Sequence, residues 1–78
     1  MIAINQETSG VFWFESQMEA SRQLEVLQGN IGYVLRGERN KTHDCWFCNA
    51  DSTAVEKTRA KFGDKIAEKV EELIREHL

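Results

Sequence analysis

Seventy-eight residues, with ten Lys and Arg against thirteen Asp and Glu for a net charge of −3 and an apolar fraction of 41%, leave room for one small domain. That excludes an enzyme with a separate cofactor domain and a strongly basic protein that grips the phosphate backbone of nucleic acid without regard to sequence. No stretch approaches the ~18 apolar residues of a membrane span. Residues Met1 to Glu7 lack the basic start of a secretory signal, and two cysteines three apart are too few for a disulfide scaffold. The expectation is one domain over residues 1–78, in a reducing cytoplasm.

A core this small rarely supplies more than about 3–5 kcal/mol of net stability, so a second copy or another partner would help. The charge is unevenly spread. Residues 1–35 and 62–78 are acidic, whereas residues 36–61 carry six positive and four negative charges.

With no proline in the chain, Gly, Asn, Asp and Ser make the breaks. Ile2–Gln6, a turn at Thr8-Ser9-Gly10, and Val11-Phe12-Trp13-Phe14 read as a hairpin. Both faces of the second strand are apolar, which suggests a central strand or one covered by another subunit. Ser16 and Glu19 form a capping box for a helix carrying Ala20, Leu24 and Leu27 on one face, with Gly29-Asn30 as its stop. Ile31, Tyr33 and Leu35 then alternate through a third strand, Ile31–Arg36. Gly37–Lys41 is a turn, and Thr42–Cys48 a fourth strand closing a second hairpin. From Thr53 the apolar stripe Val55, Phe62, Ile66, Val70, Leu73, Ile74 and His77 crosses Gly63 without a phase shift, which predicts one long, bent helix.

The order is therefore ββαββα, an α+β fold with a four-stranded antiparallel sheet from two hairpins and two helices on one face. Trp13-Phe14 and Trp46-Phe47 end the second strand of each hairpin, so each hairpin brings one aromatic pair to bury.

Three chemistries compete for the remaining residues. His43, Cys45 and Cys48 are ligand types that suit zinc, and the two cysteines could instead act as a dithiol. Trp and Phe between the cysteines favour an extended strand, in which residues three apart point to opposite faces. Lys57, Lys61, Lys65 and Lys69 recur every four residues as a basic ridge that could follow nucleic acid. Seven aromatics in a small acidic domain suit a surface that docks a protein, with Phe12, Trp13, Tyr33, Arg36, Arg39 and Trp46 as anchors. With no orienting third group or oxyanion hole beside the cysteines and no phosphate-binding Gly-rich loop, a non-catalytic protein-binding module is the preferred reading. It would be a regulator or inhibitor of a larger complex, possible as a homodimer, with the general profile of small phage or mobile-element inhibitors. Nucleic-acid binding and metal or redox activity are the alternatives.

Overall fold

A computed structural model of the chain describes residues 1–77. Three strands and four helices run among them in the order β1 (Ile2–Asn5), β2 (Val11–Trp13), α1 (Gln17–Leu24), α2 (Gln28–Leu35), β3 (Cys45–Cys48), α3 (Ala54–Phe62) and α4 (Asp64–His77). The sheet has the order β2-β1-β3, antiparallel throughout. The fold is α+β, as expected, but the four-stranded sheet and the ββαββα order are overturned.

The first hairpin forms with Ile2 opposite Trp13 and Ile4 opposite Val11. Its turn is closed by the Asn5 side chain, whose Oδ1 accepts from the amides of Glu7 (2.9 Å) and Thr8 (3.0 Å). This is the local turn chemistry for which Asn is favoured. Yet β2 lies at an edge of the sheet, and the central strand is β1. Along β1 the register alternates: odd residues bond β2, as in Asn5 N–H to the Gly10 carbonyl, and even residues face β3, as in Gln6 N–H to the Asp44 carbonyl.

The helices cover both faces of the sheet instead of one. On one face Ala3, Cys45 and Phe47 pack with Phe14, Ala20 of α1 and Ile31 and Val34 of α2. On the other, Ile2, Ile4 and Cys48 pack with Ala54 of α3 and Ile66 and Val70 of α4. Ile2, Ala3 and Ile4 are each 0% exposed. Because neighbouring residues on a strand point oppositely, each Trp-Phe pair straddles the sheet. Trp13 packs on the α3–α4 side and Phe14 and Phe47 on the α1–α2 side, while Trp46, at the sheet edge, touches both layers. Two apolar layers can bury both pairs with three strands, so the pairs did not require a fourth.

The expected third strand, Ile31–Arg36, is helical. Its sequence carries two patterns, the alternation Ile31, Tyr33, Leu35 and the helical triplet Ile31, Val34, Leu35. The triplet prevails because it buries Ile31 and Val34 on the sheet and leaves Tyr33 outside. Gly29-Asn30 is not a helix stop but lies in the first turns of α2. The stop of α1 is Glu25, at φ 56° in the left-handed region, with its amide bonded to the Ser21 carbonyl. At the other end of α1 the Ser16 hydroxyl accepts from the Glu19 amide at 3.1 Å, while the Glu19 carboxylate turns to Arg22 and Gln23 and leaves the capping box half made.

The expected fourth strand is shortened to Cys45–Cys48. Before it, Thr42 and Cys45 exchange two backbone hydrogen bonds of 2.9 Å across His43 and Asp44, both left-handed at φ 50° and 58°. The long C-terminal helix is two helices. Gly63 sits at φ 95°, ψ −179°, a conformation essentially restricted to glycine, and its amide closes α3 on the Arg59 carbonyl.

Two substitutions separate this chain path from the one expected. Gly63→Ala should destabilise by about 1–3 kcal/mol, since an added Cβ meets nothing within 4 Å and only backbone strain is at stake; a continuous helix would instead be strengthened. Gly29→Ala, with equally open surroundings at an exposed position of α2, should stabilise by about 0.5–1 kcal/mol. Denaturant melts of the two variants measure both signs.

Candidate functional site

β3 is the second edge of the sheet, and along it runs a cleft of about 230 Å³. Its walls come from three elements: Val34 and Leu35 at the end of α2 with Arg36 and Gly37 just beyond, Trp46 to Asn49 along β3, and Lys57 of α3. The local sequence accounts for this shape. Gly37, left-handed at φ 79°, ends α2 beside the strand, and its amide bonds the Val34 carbonyl. Asp51 then begins the approach to α3 by accepting from the amide and hydroxyl of Thr53 at 2.9 and 2.6 Å, which lowers its carboxyl pKa.

Backbone groups contribute to the cleft as well. In the β1–β3 register the pairs Ile2–Cys48 and Ile4–Trp46 continue the hydrogen-bonded series of Gln6–Asp44, so the N–H and C=O of Phe47 point away from β1. Among the described residues no other group bonds them, although Phe47 is only 1% exposed.

Cations and aromatics form the rim. The Arg36 guanidinium lies 5.1 Å from the centre of the Tyr33 ring and pairs with Glu38. Lys61 Nζ lies 5.8 Å from the Trp46 ring and 5.9 Å from Phe62, and those two rings meet edge to face at 5.5 Å. Lys57 and Lys61 have no carboxylate within 4.0 Å among the described residues. An acidic protein thus carries a basic cleft.

The anchors expected from the sequence divide between the two edges. Arg36 and Trp46 line the β3 cleft, and Tyr33, 44% exposed, lies outside its lining beside the Arg36 guanidinium. Arg39 instead donates to Asn30 Oδ1 at 3.1 Å. Phe12 and Trp13 lie on β2, two strands away. Phe12 is 47% exposed, its ring folded back over Gly10. Trp13 is half-buried, with the His77 ring stacked on it at 4.3 Å, and so belongs to the packing of α4 on the sheet.

The lysine ridge is divided in the same way. On α3, Lys57 lines the cleft and Lys61 stands beside Trp46, while Lys65 and Lys69 are on α4 beyond Gly63, with Lys69 reaching the Ser9 carbonyl near β2 at 3.5 Å. What the sequence missed is the convergence of Lys57 and Lys61 with Trp46. Their spacing was visible, but the break at Gly63 and the helical α2 decide where they point.

His43, Cys45 and Cys48 do not meet. His43 is exposed in the turn, Cys45 lies in the α1–α2 layer and Cys48 in the α3–α4 layer. A chelate or disulfide between the cysteines would require unmaking β3. Burial raises the pKa of both thiols, with Asp44 adding to it at Cys45, and pushes that of Cys48 up to about 11. They are therefore held as thiols, poor nucleophiles by comparison with a thiolate.

The chain matches no protein-family model, no curated protein and no solved structure at a significant level. No helix is long and apolar enough to cross a membrane among the described residues.

The Cys48 thiol gives a pH prediction with a definite sign. An acid whose pKa is raised by folding contributes fully below its unfolded value of 9.0 and loses that contribution as pH climbs toward 11, because the unfolded chain gives up its proton first. At about 1.4 kcal/mol per pH unit, the loss is on the order of 2 kcal/mol. Urea melts between pH 9 and 11 should show it, and Cys48→Ala should flatten the decline. An equally steep decline in the variant would contradict the assignment.

Proposed function

We propose that this chain is a non-catalytic protein-binding module and that the β3 cleft, with its rim of Tyr33, Arg36 and Trp46, is where it binds. One observation carries the reading. Arg36, Trp46 and Lys57, which the sequence assigned to rival functions, line one cleft along a sheet edge with unpaired backbone groups. Tyr and Trp bring large, rigid apolar area, and Arg brings directed hydrogen bonds, the residue types that dominate binding energy at interfaces. A domain of this size acts by occupying a surface, so the outcome of binding is regulation or inhibition of the partner. Two buried free thiols suit a reducing cytoplasm. A second copy of the chain would use the other edge, where Phe12 is exposed.

The experiment is site-specific photo-crosslinking in the native host cell, with the crosslinker at position 33 or at position 12. Position 33 should capture a discrete protein. Arg36→Ala should cut the yield about tenfold while leaving the thermal melt in place, since Arg36 is exposed. Capture of nucleic acid, or of nothing at either position, would contradict the reading.

A further inference from the structure

We infer that the β3 cleft takes an extended, acidic peptide segment that pairs with the backbone of Phe47, adding to the sheet at its β3 edge. This rests on the protein-binding reading above and names the chemistry of the partner.

Three observations lead to it. The first is the pair of backbone groups. Phe47 N–H and C=O are directed away from β1 and bond no other group among the described residues, although the residue is nearly buried. Buried backbone groups are paired in the great majority of cases, because an unpaired one forfeits its hydrogen bond to water. A strand laid antiparallel or parallel to β3 supplies one acceptor and one donor at the spacing Phe47 presents.

The second is shape. α2 ends on one side of the strand and α3 runs on the other, so the cleft follows β3 between Leu35 and Lys57. A single extended chain can enter with its backbone against Phe47.

The third is charge. Arg36 on one wall and Lys57 on the other face the slot, and Lys61 stands beside Trp46. Arg36 shares its charge with Glu38, whereas Lys57 and Lys61 have no carboxylate within 4.0 Å among the described residues, so the α3 wall carries the unbalanced positive charge. Side chains of an added strand point alternately to the two sides. Carboxylates at alternate positions would therefore all meet the cations on the α3 side, Lys57 and Lys61, and the side chains between them would lie toward the end of α2. A basic segment would meet repulsion from Lys57 and Lys61.

Isotope-edited NMR titrations with synthetic octapeptides test this on the intact chain. The probes are an alternating Thr-Glu peptide, the same peptide with Lys for Glu, and the Thr-Glu peptide with alternate backbone amides N-methylated. The acidic peptide should bind saturably below about 1 mM, slow exchange of the Phe47 amide at least tenfold and leave the Trp46 amide, already paired with β1, unchanged. Lys57→Glu and N-methylation should each weaken binding at least tenfold. Lys57 is exposed, so the variant should keep the wild-type amide spectrum away from the cleft.

Failure of the acidic peptide to bind, equal binding of the Lys peptide, or equal binding of the N-methylated peptide would overturn the inference. So would single-stranded RNA that binds more tightly and competes. Protein capture at position 33 together with any of the first three outcomes would leave the protein-binding reading standing without this partner chemistry. Failure of both experiments would remove both.

Discussion

Everything in this small fold depends on the burial of β1 from all four sides. Its side chains are covered above by α1 and α2 and below by α3 and α4, and its backbone is paired on one edge with β2 and on the other with β3. Ile2, Ala3 and Ile4 thereby lose all contact with solvent. Burying a large aliphatic side chain is worth about 1.5–3 kcal/mol, a large part of what a domain of this length can hold in reserve. The small side chain of Ala3, flanked by two isoleucines on the opposite face, lets Phe47 and Phe14 close over the strand.

The same arrangement places the candidate site. With β1 in the middle, β2 and β3 must both be edges, and each edge is finished differently. α4 packs against β2 through the Trp13–His77 stack, and Lys69 bonds the carbonyl of Ser9 near it. At β3 the end of α2 and the side of α3 flank the strand and leave a cleft with cations on its walls. The Trp-Phe pairs serve this division: each phenylalanine fills one layer, while the tryptophan of β3 comes half out of the other and lends an aromatic surface to the cleft rim.

Local turn chemistry was legible in the sequence, and competition between layers was not. The first hairpin, the Ser16 cap and the helical character after Thr53 follow from signals within a few residues of each other, and those elements formed. The opposed faces of Cys45 and Cys48 also followed from the strand reading of the residues between them. The segment Ile31–Leu35 did not, because its apolar residues satisfy both a strand and a helix, and two glycines weaken the helix locally. Only the demand of Ala3, Cys45 and Phe47 for a covering layer decides it. Gly63 misled for a related reason: the stripe continues in phase across it, yet the backbone there leaves helical space. The site was legible as residue types, aromatics and lysines, but its assembly depended on both of those segments.

The central position of β1 can be measured by cross-strand contacts in solution. In antiparallel sheets the Hα atoms of non-hydrogen-bonded partners approach closely, and here those partners are Ile2 with Trp13 and Ala3 with Phe47. Nuclear Overhauser effects between both pairs of Hα atoms are expected in the same sample. Effects linking residues 31–36 to β3, with none between Ala3 and Phe47, would restore the second hairpin and contradict the account of both the fold and the cleft.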